Sequence, residues 1–203
     1  MKTCIIEGCE NKYYGRGLCS KHYQQNRIHG RIFTRTYLDK NNVKFVGDLA
    51  FIELYNKKQE VIAMTIIDRE NWDKVANLKW HLMHTGYAAT NKFKKYNRLH
   101  HFIFGIPPIG LETDHINRNR LDNRKANLRF CTRSQNRCNS KRANKSSKYS
   151  GVSKNGDNWK AQIKSLKHGL IHLGTFSSEL KAAQAYNQAA LQYHGEFARL
   201  NQL

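Results

Sequence analysis

The chain has 203 residues, which is enough for one large domain or for two or three small ones. It carries 35 Lys and Arg against 15 Asp and Glu, a formal charge of +20, which indicates a polyanionic partner because neutralised phosphates release counterions. The sequence has no run of about 18 apolar residues and no apolar signal-peptide core. We therefore expect no membrane partner and a cytoplasmic location.

Residues 1–28 are predicted to form a small metal-binding unit. Cys4, Cys9, Cys19 and His22 follow the pattern C-x4-C-x9-C-x2-H. Three thiolates and one imidazole suit tetrahedral zinc, and a segment this short needs the metal for most of its folding energy. The alternative is a set of unrelated cysteines beside a chance histidine. Five cysteines do not suggest a disulfide scaffold, which agrees with a reducing cytosol.

Residues 44–139 are predicted to form a second unit whose N-terminal part is rich in strands. Apolar and polar residues alternate over 44–67, and Asn56 begins a turn between two of these strands. Asp68 is in position to cap a short helix that ends at about Ala76.

Four polar residues stand out further along this unit: Asp114, His115, Asn127 and Asn136. They fall in a predicted strand–loop–strand–helix segment. Positive charge is densest there, because residues 114–148 hold eleven Lys and Arg against two acidic residues.

These side chains have the chemistry needed to hydrolyse a phosphodiester. His115 can take a proton from water at neutral pH, and Asp114 and Asn136 offer oxygen ligands to a hard divalent cation. The side-chain carbonyl of Asn127 can accept a hydrogen bond from the other ring N–H of His115 and fix its tautomer. Single asparagines in loops are usually turn residues. That interpretation is adopted for Asn117, Asn119 and Asn123.

The stretch DHINRNRLDNRKANLRFCTRSQN resembles the HNH, or His-Me finger, motif of phage and intron-encoded homing endonucleases, in an H-N-N form. The resemblance implies a ββα-metal site with His115 as general base, oriented by Asn127, and a 5′-phosphate product. It also implies Mg²⁺ or Mn²⁺ held by Asp114 and Asn136. The N-terminal unit resembles zinc knuckles of phage HNH proteins. Nearby arginines expected to contact DNA are Arg118, Arg120, Arg124, Arg129 and Arg133.

Residues 140–148 are polar and basic and are predicted to be a linker to a C-terminal unit at 149–203. The pieces YSGV, WKAQI, LGTF and AAxAYxxAA resemble the ethylene-response-factor (Apetala-type) DNA-binding domain. The resemblance implies a three-stranded antiparallel sheet packed on one helix, with one sheet face in the major groove. The candidate DNA contacts in this unit are Ser153, Lys154, Trp159, Lys160, Gln162, Lys164 and His172. These strands hold fewer arginines than the plant domains, so the plant target preference does not carry over.

The predicted fold class is α+β, with a zinc knuckle, an HNH core and a sheet-plus-helix reader along the chain. The predicted function is metal-dependent cleavage of double-stranded DNA at preferred sites by an enzyme of phage or mobile-element homing type. The enzyme is expected to act in a bacterial or phage-infected cell, without an obligate protein partner. A non-catalytic, sequence-specific DNA-binding regulator is the first alternative. An RNA-binding protein is the second, although no aromatic stacking motif for single strands is evident.

Overall fold

The computed structural model describes residues 2–7, 9–32, 39–95, 97–140, 146–165 and 167–203, which form small antiparallel sheets and short helices. The strands are β1 Tyr13–Gly15, β2 Leu18–Cys19, β3 Val43–Val46, β4 Leu49–Tyr55, β5 Val61–Asp68, β6 His81–Leu82, β7 Ala88–Ala89, β8 Leu111–His115, β9 Leu128–Thr132, β10 Val152–Asn155, β11 Asn158–Ser165 and β12 Gly169–Phe176. The α-helices are α1 Ser20–His29, α2 Trp72–Val75, α3 Leu99–Phe104, α4 Arg133–Asn139 and α5 Glu179–His194.

The N-terminal unit is the β1–β2 hairpin followed directly by α1. Cys19 ends β2 and occupies the N-cap position of α1, so His22 lies in the first turn of the helix close to it. Among the described residues of this unit, Cys4, Leu18, Cys19 and His22 are buried. The hydrophobic cluster around them is small and is completed by partly buried side chains such as Ile6 and Tyr23.

The central unit is built on a meander of β3, β4 and β5, and the hairpin between β4 and β5 contains the predicted turn at Asn56. Burial alternates strictly along β4, which is the pattern of a sheet with one face on the core. Ile52 and Leu54 are fully buried there and pack in one cluster with Trp80 and Leu99.

The helix predicted from Asp68 is a 3-10 turn, Arg69–Asn71, followed by the single turn of α2. Asp68 is at the N-cap position but makes no cap hydrogen bond. Its carboxylate instead accepts a hydrogen bond of 2.8 Å from the backbone N–H of Lys125. This residue therefore connects the meander to the loop that precedes β9.

The predicted strand–loop–strand–helix order is present as β8, β9 and α4. β8 and β9 pair antiparallel, and Thr132 begins α4 with a capping box that includes Gln135. The long loop between the strands packs on β5. Ile66 donates its N–H to the carbonyl of Leu121 and accepts from the N–H of Asn123, both at 2.8 Å.

The C-terminal unit is an antiparallel sheet of order β10-β11-β12 with α5 packed against one face, as the sequence predicted. Ser178 caps α5 by accepting from the N–H of Lys181. Gly151 has φ +72°, and a Cβ there would lie 2.1 Å from the ring of Tyr186, so this position requires glycine. The small residues Ala182 and Ala183 are fully buried where the helix meets the sheet.

The C-terminal unit contacts the central unit through the 3-10 turn Gly195–Phe197. Phe197 is buried in a cluster with Cys131 and Cys138. The guanidinium carbon of Arg129 lies 3.9 Å from the centroid of its ring. The intervening segment predicted as a linker includes residues 141–145, which lie outside the described residues. The boundaries of the three units and of the linker remain predictions.

Candidate active site and metal centres

A cleft of about 570 Å³ opens beside the end of β8 and the exposed side of α4. Asp114 and His115 are the last two residues of β8, and Asn136 lies in the middle of α4. All three line the cleft. The antiparallel β8–β9 pair and the capped turn into α4 bring these side chains together from separate parts of the sequence.

His115 is buried, with 3% of its surface exposed, and its ring orientation is fixed from behind. Its Nε2–H donates to the Oδ1 of Asn123 at 3.2 Å, and the amide of Asn123 donates in turn to the Oγ1 of Thr65 at 2.8 Å. Because Oδ1 can only accept, the neutral ring carries its proton on Nε2 and its lone pair on Nδ1. Burial lowers the pKa of His115, and the smaller opposing effect of Asn123 does not reverse this, so the ring is neutral at pH 7.

Asn127 does not form the expected hydrogen bond with His115, and Asn123 accepts from the histidine in its place. The amide of Asn127 donates to the Oδ1 of Asn117 and to the carbonyl of Asp122, at 2.9 and 2.7 Å. Its Oδ1 accepts from the N–H of Asn117 at 2.9 Å. Asn127 therefore braces the loop between β8 and β9, and Asn123, interpreted as a turn residue, is the partner of the histidine.

Asp114 is buried and held by two neighbours. Arg129 donates to its Oδ2 from Nε and Nη2, at 3.0 and 2.9 Å. Asn139 donates from Nδ2 to both carboxylate oxygens, at 3.1 and 3.2 Å. The sequence reasoning missed Asn139, although its spacing of three residues from Asn136 places both on one side of α4.

The Asn136 side chain is oriented by Glu112, whose Oε2 accepts from its Nδ2 at 2.7 Å. That bond occupies the amide nitrogen and leaves Oδ1 as the atom available to a cation. Mg²⁺ is commonly held by one or two protein oxygens together with water and substrate phosphate. The carboxylate of Asp114 and the amide oxygen of Asn136, on one cleft, fit that donor set.

Aromatic rings form the wall behind His115. The ring of buried His100 lies 5.2 Å from that of His115, and the ring of Tyr87 lies 5.8 Å from it. Burial and the neighbouring imidazoles lower the pKa of His100 to about 2, which keeps this ring neutral. Arg98 and Arg120 place their guanidinium carbons 4.5 and 4.9 Å from the centroid of Tyr87.

The five arginines expected to contact DNA have different surroundings. Arg118 and Arg120 line the cleft, and Arg133 is exposed at the start of α4. Arg124 makes a bidentate ion pair with Asp122 and lowers the pKa of that carboxyl.

Arg129 does not fit the expectation of a DNA contact. Only 12% of its side chain is exposed, and the guanidinium is engaged by Asp114 and Glu196. Arg129 therefore connects the central unit to the C-terminal unit.

The C-terminal sheet divides the expected DNA contacts between two faces. The face away from α5 carries Ser153, Lys160, Gln162, Lys164 and His172, as the strand pairing requires. Trp159 is on the other face, half-buried against the cluster that includes Ala161, and Lys154 pairs with it. The Nζ of Lys154 lies 4.7 Å from the Trp159 ring centroid. The expectation that Trp159 and Lys154 belong to the open face is wrong, because Trp159 has the strand parity of the buried residues.

The four predicted zinc ligands come together in the N-terminal unit. The sulfur atoms of Cys4, Cys9 and Cys19 and a ring nitrogen of His22 all lie within 4.8 Å of one another. Burial raises the pKa of Cys4, but hydrogen bonds from His22 and the backbone outweigh it and lower the pKa to about 6, which favours the thiolate. A Cys₃His cluster of this size can hold a tetrahedral ion.

A strand–loop–strand–helix unit with a buried neutral histidine and oxygen ligands on one basic cleft is similar to the ββα-metal class of nucleases. A family profile described as HNH endonuclease matches residues 102–138, which include β8, β9 and most of α4. An uncharacterized HNH endonuclease of Acanthamoeba polyphaga mimivirus is 30% identical over 164 residues, which are 78% of this chain and 84% of the relative. The chain belongs to the HNH endonuclease family and is a nuclease. No solved structure matches it.

The family profile lies within the nuclease unit, whereas the match to the viral relative extends over most of the chain. Neither comparison identifies the C-terminal unit as an ethylene-response-factor domain. Among the helices of the described residues, none is long and apolar enough to cross a membrane.

Proposed function

We propose that this nuclease is a metal-dependent endonuclease that hydrolyses double-stranded DNA at preferred sites. The observation that carries the proposal is the state of His115, a buried neutral ring whose Nε2 is fixed by Asn123 beside Asp114 and Asn136. A ring held in this tautomer can accept a proton at Nδ1. The cleft also presents Arg118 and Arg120 to a phosphate backbone.

In the proposed mechanism His115 removes a proton from the attacking water at Nδ1, while Asn123 keeps the ring from turning. Asp114 and Asn136 would hold Mg²⁺ or Mn²⁺, with Arg129, Asn139 and Glu112 orienting the two ligands. A bound divalent cation supplies positive charge to the scissile phosphate and to the leaving oxygen. Arg118 and Arg120 position the backbone in the cleft, and the fixed loop between β8 and β9 holds both arginines in place.

The Cys₃His cluster is proposed to hold structural Zn²⁺. Its support is the convergence of four ligand atoms in a unit whose hydrophobic cluster is small. The proposed location is the cytoplasm of a bacterial or phage-infected cell, which is compatible with five cysteines that form no disulfide.

The C-terminal unit is proposed to supply the site preference of a homing-type enzyme. Its support is the open face of the sheet, which carries Lys160, Gln162 and Lys164 on β11 with His172 beside them on β12. Strands can enter the major groove, where such side chains reach base edges. The resemblance to ethylene-response-factor domains suggests this use of the sheet.

Cleavage of a supercoiled plasmid with and without added Mg²⁺ or Mn²⁺ tests the proposed function. We expect conversion to nicked or linear DNA only when the cation is present. A chelator added to the reaction should stop it, and excess Mg²⁺ should restore it. Binding of duplex DNA without cleavage under any divalent cation would contradict the proposal and favour the DNA-binding regulator.

A further inference from the structure

Arg199 comes from the C-terminal unit but lines the same cleft as Asp114 and His115. It is half-buried and follows the 3-10 turn that carries Phe197. Burial of Phe197 against Cys131 and Cys138 fixes this turn on the central unit. On the other side, Asn201 exchanges hydrogen bonds with Asn187 and Ser150 at 2.7 to 3.1 Å, so the segment is anchored at both ends.

Arg118 lines this cleft from the loop between β8 and β9. Its φ of +67° is a left-handed conformation that non-glycine residues adopt at a cost. The backbone holds it there, because its N–H donates to the carbonyl of His115 at 2.8 Å. Glycine or asparagine would adopt this backbone conformation at a lower cost. The presence of arginine here is therefore explained by its side chain and not by the backbone.

The two guanidinium groups act on each other as like charges. Burial lowers the pKa of Arg199, and the charge of Arg118 adds to the effect. Among the described residues neither side chain forms an ion pair with a carboxylate, whereas Arg124 and Arg129 both do. Arg118 and Arg199 also border a second depression, which includes Lys148 and Ser150. An anion between the two groups would relieve their repulsion.

We propose that Arg118 and Arg199 together bind one backbone phosphate of the DNA, next to the phosphate that is cut. The C-terminal unit therefore contributes a side chain to the cleavage cleft as well as a sheet face. Guanidinium groups match phosphate oxygens by paired N–H donors, and two of them can share one phosphate. This inference rests on the proposed function, because the cleft must receive a DNA backbone.

The test compares Arg118→Gln, Arg199→Gln and the double variant in the full-length, zinc-loaded protein. Lys181→Gln is the matched control, since Lys181 is an exposed cation of α5 outside the cleft. Affinity for a labelled duplex of mixed sequence is measured in buffer without Mg²⁺ or Mn²⁺. Cleavage with Mg²⁺ and the melting temperature are measured separately on the same proteins.

Each single variant should bind about 10-fold more weakly, as expected for a lost charged hydrogen bond. The double variant should lose clearly less than about 100-fold, because both groups bind the same phosphate. The melting temperature of Arg199→Gln should stay the same or rise, because a repulsion is removed. The control should lose less affinity than either single variant.

Wild-type affinity in Arg199→Gln would overturn the proposal, as would fully multiplicative losses in the double variant. A lower melting temperature of Arg199→Gln would also overturn it, because the residue would then be structural. These outcomes are independent of the proposed function, which fails instead if the wild-type protein binds DNA but does not cut it with any divalent cation.

Discussion

Replacing Asn123 with alanine tests how the His115 ring is held. Asn123 is 1% exposed, accepts from His115 at 3.2 Å and donates to Thr65 at 2.8 Å. Each lost hydrogen bond is worth about 1 kcal/mol, and a buried donor left without a partner costs a further 1–3 kcal/mol. We therefore expect Asn123→Ala to lower the free energy of unfolding by about 3–5 kcal/mol.

The loss of cleavage should be larger than the small fraction of unfolded protein in the assay can explain. Partners that fix a functional histidine ring are typically worth about 10–100-fold in activity, and we expect a loss of this size in the folded Asn123→Ala protein. The assay is single-turnover plasmid cleavage well below the melting temperature. Asn71→Ala is the control, because Asn71 is equally buried but lies outside the cleft. If Asn123→Ala is folded and cuts at the wild-type rate, the ring is not held by this residue.

Three further expectations concern other parts of the chain. Cys19→Ser should reduce bound zinc and weaken DNA binding while cleavage persists, and elemental analysis showing full zinc content would contradict this. Lys160→Ala should scatter the cleavage sites more than Lys154→Ala, because only Lys160 is on the open sheet face; equal patterns on sequencing gels would refute the assignment of that face. Asn127→Ala removes three hydrogen bonds from the loop and should lower the free energy of unfolding by about 2–4 kcal/mol. Denaturant titration measures this change, and an unchanged unfolding midpoint would exclude the bracing role of Asn127.

The sequence predicts the elements around the site well because their signals are local. Alternation predicts β4 and β11, and the Thr132 cap with Gln135 marks the start of α4. The predicted strand–loop–strand–helix order brings Asp114, His115 and Asn136 towards one place, and all three line one cleft. The four candidate metal ligands of the N-terminal unit also lie together, as two close pairs that can wrap one ion would require.

The assignment of Asn123 and Asn127 could not be made from the sequence. Both are asparagines in one loop, and the difference between them depends on where that loop packs. The backbone contacts between Ile66 and the loop bring Asn123 under His115 and leave Asn127 inside the loop. Those contacts join residues more than 50 positions apart, and no local pattern reports them.

The position of Trp159 was available from the sequence and was missed. Trp159, Ala161 and Ile163 alternate along β11, so all three share the face that packs on α5. By contrast, the contact of Phe197 with Cys131 and Cys138 depends on the packing of one unit against another. Periodicity within a unit contains no information on that contact, so the contribution of Arg199 to the cleft was not predicted.

The most direct measurement of the central claim compares DNA affinity and cleavage rate for His115→Ala. His115 is neutral and buried, so it adds little to phosphate binding, and affinity for duplex DNA should be nearly unchanged. General-base catalysis is typically worth about 10²–10⁴-fold, so single-turnover cleavage at saturating Mg²⁺ should fall by at least that much. Asn136→Ala should also lose cleavage, with partial recovery at higher Mg²⁺ that His115→Ala does not show. Cleavage by His115→Ala at the wild-type rate under saturating Mg²⁺ would contradict the assigned active site.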